Sequence, residues 1–327
     1  MIRRALLATA ALGAAVVSIG PVSDRLARRL MAAPRRLPEE SGMATLLDRL
    51  GGEVVRLRSR DGVRITGRWL AAEPGDDEWF ADPREAILLL HGYSGSVTPD
   101  LVEYGPFLRR TAGVLGLDFR GHGGSDDAPT TFGLDEVEDV AGALAWLGER
   151  GVRRVALVGS SMGGITAIAA TAVLGDGRLA AADVPTERPV TTTVDAPRPR
   201  IVAIIADSVS PELALVVGRR LGLPGGVRLA GHAFSRFNRI VGGDPRATEP
   251  IAAIGLLEDM PLLLVHGGAD LLIPPKAQAR LAAAAPDGSR HLVVEGAGHG
   301  EPHHKDPDAW ESAAGDLLRS AFLASRE

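Results

Sequence analysis

Residues 154 to 164 read Arg-Val-Ala-Leu-Val-Gly-Ser-Ser-Met-Gly-Gly, and the reading of this stretch decides the fold. Val155 to Val158 form a short apolar run without helical spacing. Gly159-Ser160-Ser161-Met162-Gly163 follow at once, and then a helix-like segment of small residues from Gly164 to Leu174. The order is strand, tight turn, helix. A nucleophilic serine must stand on a sharp turn with its hydroxyl exposed, and glycines two residues to either side let strand and helix pack closely. Ser161 is the serine in that frame, because Ser160 would need a glycine where Val158 stands. A G-x-S-x-G pattern is short enough to arise by chance, so its placement between strand and helix carries the reading.

Working outward, Glu53 to Ser59 and Val63 to Leu70 are expected as two strands joined at Asp61-Gly62, a good hairpin turn. Ala86 to Leu90 is a continuous apolar run, as in a strand buried on both faces, and it ends in His91-Gly92-Tyr93-Ser94-Gly95. A helix over Leu101 to Arg110 and a strand over Gly113 to Phe119 come next. That strand runs into the glycine-rich loop Arg120 to Asp126. Val137, Val140, Ala141, Leu144 and Leu147 fall at helical spacing and mark an amphipathic helix ending near Gly148.

Beyond the central stretch, residues 175–200 lack any sustained period and are expected as a surface insertion. Ile201 to Ala206 resumes as a buried strand. Residues 208–258 mix short helical patterns with glycine-proline breaks, which suits a lid or cap. Pro261 to Val265 and His291 to Val294 are the last strands, with a helix over Ala277 to Ala285 between them. Trp310, Ala313, Ala314, Leu317, Leu318, Ala321 and Phe322 lay one apolar stripe on a C-terminal helix. This rhythm implies a mostly parallel α/β sheet with helices on both faces.

A serine hydroxyl is a poor nucleophile until a base removes its proton, and the base needs an acid to hold its tautomer. His266-Gly267-Gly268-Ala269-Asp270 follows one strand and Gly296-Ala297-Gly298-His299-Gly300 the next. In a parallel sheet both loops open at the edge that carries Ser161, so Asp270 and His299 can converge on it. Asp207, ending the Ile201 strand at that same edge, is the rival acid. His91, His122 and His266 sit in turns and are read as loop-holding residues, as is Asp118. His303 and His304 lack carboxylates at ligand spacing and are not read as a metal site.

Taken together, Leu90-His91-Gly92-Tyr93, Asp118-Phe119-Arg120-Gly121-His122-Gly123, Gly159 to Gly164, His266-Gly267 with Asp270, and Gly298-His299 resemble the motifs of the α/β-hydrolase superfamily, in its order. The resemblance covers roughly residues 53 to 325, and the likeness is to Bem46-type and prolyl-oligopeptidase-like serine hydrolases. It implies an α/β-hydrolase fold with Ser161 as nucleophile, His299 as base, Asp270 as orienting acid, and the backbone N–H groups of Tyr93 and Met162 as oxyanion donors. The expected activity is cleavage of a carboxylic ester of a small molecule through an acyl-enzyme, with no cofactor. A thioester or peptide substrate on the same triad, or a non-catalytic binding protein on the same fold, are the alternatives. The insertion and the lid match no substrate class.

The 327 residues suffice for one large domain with an appendage. A net charge of -5, a pI near 5.9 and no basic stripe argue against a nucleic-acid partner. The absence of cysteine excludes disulfides and thiolate chemistry. Ala5 to Val22 is almost wholly apolar after Arg3 and Arg4. With Pro21 at the best cleavage point, residues 1–22 are expected as an uncleaved single-pass membrane anchor, with a cleaved export signal as the alternative. Residues 23–50 are expected as a linker, and 51–327 as the hydrolase domain.

Overall fold

At Gly62 the backbone takes φ 94°, a conformation open to glycine, and the Gly62 N–H donates to the Ser59 carbonyl at 2.9 Å. That turn closes the first hairpin. The computed structural model describes residues 21–32, 42–73, 81–93, 95–175, 198–222, 224–241 and 249–326. A helix over residues 21–31 (α1) and α2 (Met43–Arg49) precede the hairpin strands β1 (Glu53–Arg58) and β2 (Arg64–Leu70). Then follow β3 (Glu85–Leu90), α3 (Val97–Leu108), β4 (Gly113–Leu117), α4 (Glu136–Glu149), β5 (Arg154–Ser160) and α5 (Met162–Leu174). After β6 (Arg200–Asp207) come three helices, α6 (Leu213–Arg220), α7 (Gly226–Val241) and α8 (Pro250–Ile254). The chain closes with β7 (Leu262–Gly267), α9 (Pro275–Ala284), β8 (Arg290–Val294), α10 (Pro302–Lys305) and α11 (Pro307–Ala324).

Among the described residues, eight strands form one sheet in the order β1-β2-β4-β3-β5-β6-β7-β8. β2 runs antiparallel to β1 and β4, and all the other pairings are parallel. This is the α/β-hydrolase fold. Alternate residues of one strand point to opposite faces, so a strand covered on both sides must be apolar throughout. β3 obeys this: Ala86, Leu88 and Leu90 pack with the core that includes Val140, Leu144 and Ile168, whereas Ile87 and Leu89 pack with Leu101, Trp310 and Phe322. Helices α4 and α5 therefore cover one face, and α3 and α11 the other. Because β3 and β5 to β8 all run the same way, the loops at their carboxyl ends share one edge.

Two expectations move. The helix expected from Leu101 starts at Val97, because the Asp118 carboxylate reaches across and accepts the Val97 N–H at 2.8 Å. The expected linker contains two helices, α1 and α2. Residues 176–197 of the expected insertion lie outside the described residues.

The membrane anchor is corrected. No helix among the described residues is long and apolar enough to cross a membrane. Residues 5–20 of the expected span, and the alternative cleavage point after Gly20, lie outside the described residues. The part that is described belongs to α1, which carries Asp24, Arg25, Arg28 and Arg29 and docks on the domain. Ala27 is fully buried in the main core, and Leu30 and Met31 pack against it. The Leu30 carbonyl accepts the Tyr93 hydroxyl at 3.1 Å, and the Met31 carbonyl accepts the Thr130 N–H at 2.8 Å. Ala27, Leu30 and Met31 thus meet protein, and the carbonyls of Leu30 and Met31 meet the loops after β3 and β4.

An Ala27→Asp substitution would bury a carboxyl group without a partner, at a cost of at least about 2 kcal/mol. Urea unfolding should show a lower midpoint with an unchanged slope. An unchanged midpoint would mean that α1 contributes nothing to the folded domain.

Candidate active site

β5 ends and α5 begins at Ser161, whose backbone takes φ 50° and ψ -111°, a strained conformation for a residue with a side chain. The surroundings enforce it. The Ser161 N–H donates to the Asp207 carbonyl at 2.8 Å, and the Ser161 carbonyl accepts the Ile165 N–H at 3.0 Å as the helix starts. A Cβ on Gly163 would run into the Leu90 carbonyl, and one on Gly159 into Gly163 itself. The turn therefore exists only with glycines there.

The structure brings Ser161, His299 and Asp270 together. The Ser161 hydroxyl donates to His299 Nε2 at 3.0 Å, and His299 Nδ1–H donates to Asp270 Oδ2 at 2.9 Å. Burial would raise the Asp270 pKa, but the bonds from His299, Ile273 and Leu272 outweigh it and hold the carboxyl below its ordinary value. An ionised Asp270 only accepts, which places the proton on His299 Nδ1 and leaves Nε2 as the acceptor. Asp270 Oδ1 takes the Leu272 and Ile273 N–H groups at 2.7 and 2.9 Å. Gln278 braces the same loop from α9, donating to the Gly267 and Ile273 carbonyls at 2.9 and 2.8 Å.

Asp207, the rival acid, is not the partner of His299. Its carboxylate is 2 % exposed and accepts the Trp310 indole N–H at 3.0 Å and the Ser208 hydroxyl at 2.8 Å. Burial raises its pKa to about 6 against the pull of those two bonds.

Met162 opens α5, so its N–H has no acceptor within the helix and points out of the helix start. Tyr93 follows β3 on a loop that passes Ser161: a Cβ on Gly92 would stand 3.7 Å from the Ser161 Cβ. His91 splints that loop. Its Nε2 accepts the Phe119 N–H at 3.0 Å, which leaves Nδ1–H to donate to the Gly92 carbonyl at 2.7 Å. Burial, with His122 beside it, lowers its pKa to about 3 and keeps it neutral. His266 is likewise lowered to about 4, mainly by burial, and bonds the Val209 carbonyl at 3.0 Å. Asp118 braces the Arg120 loop through the Gly124 N–H at 2.9 Å.

Two groups beside the site carry no motif in the sequence. Phe132 takes φ 54° and stacks on Tyr93 with ring centroids 5.1 Å apart, while Phe234 of α7 meets its edge at 5.7 Å. Buried Glu136 holds that turn by accepting the Thr131 and Gly133 N–H groups, each at 2.8 Å. The other is Ser208, next to Asp207. A polar pair closing an otherwise apolar strand was the available signal.

A family model described as the alpha/beta hydrolase family matches residues 87–313. The uncharacterized protein YfhR of Escherichia coli O157:H7 is 25 % identical over 279 residues, covering 84 % of this chain and 81 % of that one. The uncharacterized protein Rv2307c of Mycobacterium tuberculosis is 27 % identical over 284 residues, covering 85 % and 82 %. Among solved structures, the Pyrococcus furiosus esterase Pf2001 superposes with a TM-score of 0.62 at 21 % identity, over 88 % of this chain and 99 % of that one. A thermophilic esterase from Thermogutta terrifontis gives 0.54 at 18 % identity, over 82 % and 99 %. At these identities the structural likeness is one of fold.

His303 is clamped between two carboxylates, Glu103 of α3 at 3.1 Å and Glu311 of α11 at 3.3 Å. Burial opposes its charge, yet the bonds to Glu103 and Glu311 prevail and raise its pKa. A pKa raised on folding gives stability that is complete below the unfolded value of about 6.5 and is lost as pH climbs through the folded one. A His303→Gln variant should therefore lose more Tm relative to wild type at about pH 5.5 than at about pH 9. An equal loss at both would mean the clamp is uncharged.

Proposed function

The chain belongs to the alpha/beta hydrolase family and is a hydrolase; from that premise we propose that it cleaves carboxylic esters of small molecules through an acyl-enzyme on Ser161. The observation that carries the reading is the unbroken hydrogen-bonded line Asp270–His299–Ser161, with a strained turn holding the hydroxyl at its end. The esterases among the solved relatives support an ester as the substrate class.

In the proposed reaction Ser161 Oγ attacks the ester carbonyl while His299 Nε2 takes the hydroxyl proton. The charge that develops on the carbonyl oxygen falls beside the backbone N–H groups of Met162 and Tyr93, which need no reorganisation to receive it. Asp270 holds the imidazole tautomer and offsets its charge once it is doubly protonated. His299 then returns the proton to the leaving alkoxide. A water molecule, deprotonated by the same Nε2, attacks the acyl-enzyme and releases the acid with Ser161 restored. The rings of Tyr93, Phe132 and Phe234 pack on one another beside the proposed oxyanion site, with Phe132 and Phe234 buried in the core.

A fluorophosphonate probe should label wild-type protein covalently and leave Ser161→Ala unlabelled. On a p-nitrophenyl ester, Asp270→Asn should lower kcat by about 10⁴-fold, as removal of the orienting acid does in serine proteases. Asp207→Asn, kept folded, should lower it far less. The reverse ranking would make Asp207 the acid. Run beside thioester and aminoacyl-amide substrates, the ester should give the highest kcat/KM, and a faster thioester or amide would overturn the substrate class.

A further inference from the structure

Four non-glycine residues among those described take positive φ: Phe132, Ser161, Ser208 and Asp259. Three of them lie around the candidate site, and two of those have other grounds for it: Ser161 is the proposed nucleophile, and Phe132 stacks on Tyr93. Ser208 holds φ 54° while 1 % exposed, at the first position after β6, where glycine would be free of that strain. Its own N–H is tied to the Val265 carbonyl at 2.8 Å.

The hydroxyl has a directed role in hydrogen bonding. Asp207 Oδ1 accepts from it at 2.8 Å, and the Gly300 N–H donates to it at 2.9 Å. A backbone N–H can only donate, so the Ser208 oxygen must accept there, and its one proton is left for Asp207. Asp207 is fixed in turn by the Trp310 indole on its other oxygen at 3.0 Å. The line Trp310–Asp207–Ser208–Gly300 thus joins α11, the end of β6 and the histidine loop. Gly300 is the residue after His299, so its N–H belongs to the peptide that leaves His299. That imidazole must meet Ser161 and Asp270 with opposite ring nitrogens, at 3.0 and 2.9 Å, which tolerates little rotation of the backbone that carries it.

We propose that Ser208 is a positioning residue: its hydroxyl, oriented by Asp207, fixes the His299–Gly300 peptide and so aims the imidazole at Ser161 and Asp270 together. The inference rests on the proposed roles of Ser161 and His299. A hydroxyl kept at a strained, buried position is then explained by what it holds.

Ser208→Gly and Ser208→Ala separate this role from simple support of the fold. Both variants strip Asp207 Oδ1 and the Gly300 N–H of the hydroxyl, but glycine relieves the positive φ, so the Ser208→Gly protein should keep its far-UV spectrum and a higher Tm than Ser208→Ala. Misaiming a base by a fraction of an ångström to 1 Å lowers a reaction rate by about 10- to 100-fold. Both variants should therefore show fluorophosphonate labelling of Ser161 and ester kcat reduced about 10- to 100-fold, with KM unchanged. Labelling of folded Ser208→Gly at the wild-type rate would overturn the inference while leaving the nucleophile in place. Labelling that falls only in step with the folded fraction in both variants would overturn it too, since the hydroxyl would then serve stability alone. Wild-type protein that is not labelled at all would remove the proposed nucleophile, a failure visible before any variant is made.

Discussion

At Gly163 the first turn of α5 lies so close to the Leu90 and His91 carbonyls that no side chain fits between them. That contact is the constraint on which the site depends. It presses α5 against the ends of β3 and β5, leaves Ser161 no conformation but a strained one, and brings the Tyr93 loop alongside the hydroxyl. Residues held in such conformations persist only where the surroundings over-determine them. Here the surroundings are the Asp207 carbonyl on one side and two glycines on the other.

The same economy governs the buried polar groups. Asp118, Glu136, Asp207 and Asp270 all end or flank a strand or helix at the carboxyl edge, and each bonds N–H or O–H groups of a neighbouring loop. A buried carboxylate without such donors would be costly, and a loop N–H without such acceptors equally so. Pairing them satisfies both and fixes loops that have few side-chain contacts of their own. His91 and His266, kept neutral by burial, do the same for carbonyls that have no strand partner.

The sheet and the convergence of Ser161, His299 and Asp270 were legible because each rests on a local pattern: an apolar run that ends in glycines, then a polar residue. Parallel strands turn that local pattern into a shared edge. That Asp270 and not Asp207 meets His299 was less legible, since one ends an apolar strand and the other follows one at the same edge, and they differ in which of them His299 reaches. Ser208 and Glu136 left almost no trace, because their roles are hydrogen bonds to residues that are distant in sequence or lie within a turn. The N-terminal apolar run misled for a different reason. Hydropathy scores the wish to leave water without naming the destination, and the described end of the run, Pro21 and Val22, belongs to α1, a helix that Ala27, Leu30 and Met31 dock on the protein core.

The line from Ser161 to His299 spans 138 residues of chain, and one of the groups behind it comes later still. Trp310, in the first turn of α11, supplies the indole that fixes Asp207. A ribosome adding about 5–20 residues per second completes the serine turn roughly 10 s before it adds the histidine. During synthesis Ser161 is therefore in the chain before His299, the base proposed for it, has been added. On the roles proposed for Ser161 and His299, a chain that stops short of residue 299 holds the serine turn without its base, so completing the fold and assembling the site are one event.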